Sequence, residues 1–147
     1  MNNRRKTELI IIHTSATPIT MNIGAYEISK WHRAQGWLDI GYHFVIKRGG
    51  LIELGRPMEA VGAHAKGYND KSVAICMIGG IDKDKKPENN YTVEQWDSLR
   101  TSLLFLNNIY SEAKVIGHNE VSKKDCPCFD VQAWLKMERA SVDMIGG

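Results

Sequence analysis

The sequence predicts an α/β fold in which a single mixed β-sheet is flanked by helices. Three observations carry this. The runs Leu9-Ile10-Ile11-Ile12 and Ser72-Val73-Ala74-Ile75-Cys76-Met77-Ile78 are uninterrupted and apolar, the texture of strands buried on both faces. Val93, Trp96, Leu99, Leu103 and Leu106 recur at spacings of three and four, the period of an amphipathic helix over 93–110. Strand and helix patterns then alternate in the order β, α, β-hairpin, loop, β, long α, β, loop, α, which one sheet packed with helices accommodates.

Residues 1–8 are polar and are expected to form a flexible arm. The first strand ends in His13-Thr14-Ser15-Ala16-Thr17-Pro18, where turn formers take over. Residues 22–35 read as a helix with Ile28 and Trp31 inward and Gly36 as its stop; His32 reads as a surface residue without a role. Residues 41–54 read as a hairpin around Gly49-Gly50, with Tyr42, Phe44 and Ile46 on one face and His43, Val45 and Lys47 on the other. The glycine-rich stretch Val61-Gly62-Ala63-His64-Ala65-Lys66-Gly67-Tyr68-Asn69 reads either as a loop that lets backbone approach a ligand or as an ordinary surface loop. Cys76 sits mid-strand, as a small core hydrophobe does. Thr92 and Gln95 match a capping box ahead of the long helix. Lys114-Val115-Ile116-Gly117 is a short strand delivering His118, and Asp130 caps a last helix with Val131, Trp134 and Leu135 facing in. The folded domain is expected over 9–140 and a loose tail over 141–147.

The bulk composition narrows the function. At 147 residues and 43% hydrophobic content the chain suits one soluble domain with one core. A net charge of +2 is too small to argue for nucleic acid. The apolar run after the basic start is too short for an export signal or a membrane span, so neither secretion under its own signal nor membrane insertion is expected. Three cysteines are an odd number, which favours a metal or a free thiol over a disulfide framework.

The chemistry concentrates in Gly117-His118 through Cys126-Pro127-Cys128. His118 and Cys126 lie eight positions apart in a segment with no regular period, and imidazole with thiolate is a zinc-ligand vocabulary. His13 and His118 both fall at C-terminal tips of apolar strands, where open α/β sheets gather their sites, although a strand-end histidine can equally be a cap. If those strands are neighbours, His13, His118 and Cys126 make three ligands with one position open, the catalytic zinc pattern. Cys128 is the competitor that would close the fourth position; Cys126 is favoured as the ligand. Lys124, or the adjacent Lys123, stands near Cys126 as a cation for an oxyanion, and Tyr42 as a hydrogen-bond donor. No HExxH pattern supplies a glutamate base, and no carboxylate pair suggests glycoside cleavage.

Five stretches together carry a resemblance. They are Ile12-His13-Thr14-Ser15-Ala16-Thr17, Gln35-Gly36-Trp37-Leu38-Asp39-Ile40-Gly41-Tyr42-His43-Phe44, the 61–69 loop, Gly79-Gly80-Ile81-Asp82, and Gly117-His118 through Cys126-Pro127. From about Leu9 to about Trp134 the chain resembles the zinc N-acetylmuramoyl-L-alanine amidases of the amidase-2 and peptidoglycan-recognition-protein superfamily, and within it the wall-lytic amidases of short-tailed coliphages. The resemblance implies one Zn²⁺ per chain at His13, His118 and Cys126, with Tyr42 and Lys124 as catalytic partners. It implies that His64, Lys66 and Asn69 line a cleft for the stem peptide of peptidoglycan. The implied reaction cuts the amide between N-acetylmuramic acid and L-alanine and spares the glycan. A monomer acting from the host cytoplasm, after a partner opens the inner membrane, is the implied setting. Phage members of the family also bind and inhibit a single-subunit RNA polymerase, partly through an arm that is shorter here. Members without the metal thiolate bind peptidoglycan without turnover, and in this chain Cys126 is present.

Overall fold

The computed structural model describes the backbone of residues 1–146 and the side chains of residues 1–140. Five strands, β1 (Leu9–Thr14), β2 (Phe44–Ile46), β3 (Ile52–Leu54), β4 (Ser72–Met77) and β5 (Lys114–Gly117), form one sheet in the order β3-β2-β4-β1-β5. The pairs β2–β4, β4–β1 and β1–β5 are parallel, and only β3 runs antiparallel, at the edge. The helices are α1 (Ala25–Ala34), α2 (Val93–Ile109) and α3 (Val131–Gly146). The expected single mixed sheet with flanking helices is therefore what forms. Among the described residues, no helix is long and apolar enough to cross a membrane.

The sheet's two faces are packed differently. Ile10, Ile12, Phe44, Ile46, Val73, Ile75 and Met77 point toward Leu99, Leu103 and Leu106 of α2 and Val131 of α3. The opposite face packs Val45, Cys76 and Ile78 against Ile23, Ile28 and Ile40, beneath α1. Alternation along each central strand produces this division, because successive side chains leave a strand on opposite sides.

Local chemistry sets the helix ends. At the end of α1, Gly36 has φ +93°, and the Gly36 and Trp37 amides bond the Arg33 and His32 carbonyls, a Schellman stop. At the start of α2 the expected capping box forms, with the Gln95 amide donating to Thr92 Oγ1 at 3.1 Å and the Thr92 amide to Gln95 Oε1 at 3.0 Å. Gln95 is fully buried, and its Nε2 also donates to the Ile46 and Ile78 carbonyls, joining the helix start to the ends of β2 and β4. Val93, expected to face inward, is instead 73% exposed, because the capped first turn leads the chain in from solvent.

Residues 1–8, expected as a flexible arm, make hydrogen bonds to the body of the domain in the structure. The Arg4 amide donates to the Glu59 carbonyl, the Val61 amide to the Asn2 carbonyl and the Glu8 amide to the Lys71 carbonyl. The Arg4 guanidinium donates to the Ala60 carbonyl at 2.7 Å and to the Tyr110 hydroxyl at 3.2 Å, and lies over the Tyr110 ring. The partners lie on the loop ahead of β4 and on Tyr110 after α2. The tail expected over 141–147 falls on residues whose side chains lie outside the described set.

Candidate functional site

Register brings the first two candidate ligands together. Ile12 of β1 stands opposite Gly117 of β5, so His13 and His118 follow side by side at the C-terminal edge of the sheet. Their rings lie 4.5 Å apart, centroid to centroid. The chain after β5 then turns back. Ser122 Oγ donates to the His118 carbonyl at 3.0 Å, and the segment returns Cys126 to the tip of β1. There its Sγ accepts from the Thr14 amide at 3.2 Å and lies 3.7 Å from His13 Nδ1. The ligand atoms of His13, His118 and Cys126 all lie within 4.8 Å of one another, and this is the one such group of metal-binding side chains among the described residues. Tyr91 braces the return, its hydroxyl hydrogen-bonded to Thr14 Oγ1 at 2.7 Å and to the Pro127 carbonyl at 2.8 Å.

The donor set fits a zinc-type ion. Two imidazoles and a thiol suit Zn²⁺, and three protein ligands leave one of four positions for water or substrate. Cys128, at φ +70°, is not part of the group. Among the described side chains, Cys128 does not join the other three as a fourth candidate ligand.

The electrostatics prepare the two histidines for a cation. Burial, then the neighbouring His64, His118 and Lys124, holds His13 neutral well below the usual histidine range; burial and Lys124 lower His118. Neutral imidazole is the form that binds metal. Burial pushes the Cys126 thiol up to about 12, while the Thr14 amide and the Lys124 charge pull it back. The thiol becomes thiolate when a cation displaces its proton.

Tyr42 reaches this edge, though not on the face its strand position suggested. It precedes β2 and packs with Val45 on the α1 side, so the expected alternation breaks between residues 42 and 43. Its ring lies 5.1 Å from His13, and burial raises its phenol well above the usual range, keeping it a donor. Lys124 is exposed, and its charge is felt by His13, His118 and Cys126.

The 61–69 loop lies against the same edge. Asn69 Oδ1 accepts from the His64 and Ala65 amides at 2.8 and 2.9 Å, so Asn69 shapes the loop from within. Lys66 is exposed. His64 turns inward, with Nδ1 2.8 Å from His13 Nε2 and Nε2 3.2 Å from Ser72 Oγ. Sequence reasoning missed His32, read as a surface residue. Its Nδ1 accepts from the Gly41 amide at 2.9 Å, and its ring packs on Trp37 and Tyr42, which steadies the backbone carrying Tyr42. Helical periodicity cannot report a bond to a loop nine residues away.

Comparison with known proteins agrees with the fold. The family described as N-acetylmuramoyl-L-alanine amidase matches residues 3–129. An endolysin of Escherichia phage T7 is 49% identical over 131 residues, covering 89% of this chain and 87% of that protein. The solved amidase LysCS from Clostridium intestinale superposes with TM-score 0.79 at 29% identity, over 92% of this chain and 84% of that one. Drosophila PGRP-LB superposes with TM-score 0.70 at 29% identity, over 86% of this chain and 78% of that one.

Proposed function

Because this chain belongs to the N-acetylmuramoyl-L-alanine amidase family, we propose that it is a phage endolysin. On this reading it hydrolyses the amide between N-acetylmuramic acid and L-alanine, with one Zn²⁺ held by His13, His118 and Cys126. The observation that carries this is the meeting of three donors, more than a hundred residues apart at the extremes, within 4.8 Å of each other at one sheet edge.

A Zn²⁺ bound there supplies Lewis acidity, acidifying a water molecule and polarising the scissile carbonyl. Tyr42, held as a neutral phenol, donates a hydrogen bond to the oxygen on which negative charge develops. The exposed Lys124 places its positive charge beside the same group and offsets that charge. The Thr14 amide and the Tyr91 brace hold Cys126 in place throughout. Of the loop residues, exposed Lys66 meets the stem peptide, while His64 and Asn69 support it from within.

The test pairs metal analysis with a digest of purified wall. One zinc per chain is expected, with new L-alanine amino termini and no new reducing sugars; new reducing ends alone would overturn the reading. Cys126 favours turnover over a receptor that only binds peptidoglycan. Binding of a phage RNA polymerase is a second proposed role, supported by the family resemblance and assigned to the docked segment 1–8. Pull-down with and without those residues tests it. A monomer that meets the wall once a partner opens the inner membrane completes the proposal.

A further inference from the structure

A chain of hydrogen bonds runs from the metal-binding edge to a loop carbonyl. Ser72 Oγ lies 2.7 Å from the Tyr68 carbonyl, which can only accept, so the hydroxyl spends its single proton there. What remains on Ser72 Oγ is acceptor capacity. His64 Nε2, 3.2 Å away, must therefore carry a hydrogen. A neutral imidazole has one N–H, so His64 Nδ1 bears a lone pair. His13 Nε2, 2.8 Å from that lone pair, must then be the N–H of its own ring. That leaves the lone pair of His13 on Nδ1, the nitrogen facing Cys126 Sγ.

We propose that His64 is a positioning residue: oriented by Ser72 and the Tyr68 carbonyl, it fixes the tautomer of His13 and so selects Nδ1 as the atom presented to a metal. The consequence for metal affinity rests on the zinc reading above; the tautomer assignment stands without it. The surroundings are built for the arrangement. Asn69 pins the loop that carries His64. Gly62 leaves room for the ring, since a Cβ there would lie 2.8 Å from His64 Cδ2. Outer partners of metal-bound histidines act in this way, setting tautomer and ring orientation, and their loss costs affinity without removing a ligand.

Two measurements test this. In metal-free wild type, long-range ¹⁵N–¹H correlations should show His13 and His64 both as the Nε2–H tautomer; His13 protonated on Nδ1 would overturn the proposal. Chelator competition for zinc should then show His64→Leu weakened by about 10- to 100-fold. His64→Asn, which keeps an acceptor near the Nδ1 position, should recover most of that loss. Leu and Asn variants that bind equally tightly would overturn the proposal, because a purely structural role does not distinguish an acceptor from a methyl. Ser72→Ala should leave His64 with mixed tautomers in the same spectra, and this reading survives if the Leu variant fails to fold. A wild type with the expected tautomers but no zinc binding would sink the zinc reading and leave this one standing.

Discussion

The two faces of the sheet use the same strands for different ends. On the side of α2 and α3, β1 presents Ile10 and Ile12 to Leu99, Leu103 and Leu106 in an apolar, close-packed layer. On the other side the same strand presents Ile11 and then His13, and its neighbours are Cys76, Tyr42 and His64. One residue of alternation separates an oily wall from a polar edge. Burying a polar group costs free energy unless it is hydrogen-bonded, and here His13, His43, His64 and Ser72 all find partners. The face toward α2 and α3 is thus packed for stability alone, while the other face adds the candidate chemistry, and zinc binding should be breakable without unfolding the chain.

The largest expected effect is on the polar face. Cys126→Ser should abolish wall hydrolysis and sharply reduce zinc content while the circular dichroism spectrum stays that of the wild type. Next, Tyr42→Phe should lower kcat by about 10²- to 10³-fold with zinc content unchanged, as loss of one oxyanion donor does. On the apolar face, Leu99→Ala removes a fully buried side chain and should cost about 3 kcal/mol in urea unfolding. The fraction that remains folded should bind zinc normally; a loss of zinc there would show the faces to be coupled.

Acid should find the polar face first. Burial lowers His43 to about 4, helped by the Arg4 and Arg56 charges; its Nδ1 accepts from the Ala74 amide and its Nε2 donates to the Ala60 carbonyl. The unfolded chain takes up a proton at residue 43 near the ordinary histidine value, and the folded chain resists until about 4. This contribution is complete above about pH 6.5 and is lost as pH falls toward 4, by roughly 3 kcal/mol in all. Unfolding free energy measured across that window should drop, and His43→Gln should flatten the drop. The smallest effect lies outside both faces. Arg100 pairs with Glu138 at 2.6 Å on the surface, and Arg100→Ala should cost less than about 1 kcal/mol by the same unfolding assay.

Much of this was legible because the signals are local. The β-branched runs of β1 and β4, the spacing of Leu99, Leu103 and Leu106, the Thr92–Gln95 box and the Gly36 stop each depend on neighbours within a turn or two. The candidate ligands were legible too, since His118 and Cys126 lie in one irregular segment and His13 ends an apolar strand. The inward turn of His64, the role of His32, the docking of residues 2–8 and the face taken by Tyr42 were not legible. Each depends on a hydrogen bond or a packing contact between segments whose separation in sequence carries no period.

The amino-acid order by itself determined which side chains stand at strand tips and which helix faces are apolar, because periodicity and capping act over a few residues. Only the tertiary structure decided that β1 lies between β4 and β5 with Ile12 beside Gly117, and hence that His13 meets His118 and leans on His64. Parallel strands are joined by long crossovers, so their register is set by the packing of the whole sheet rather than by any single stretch of chain.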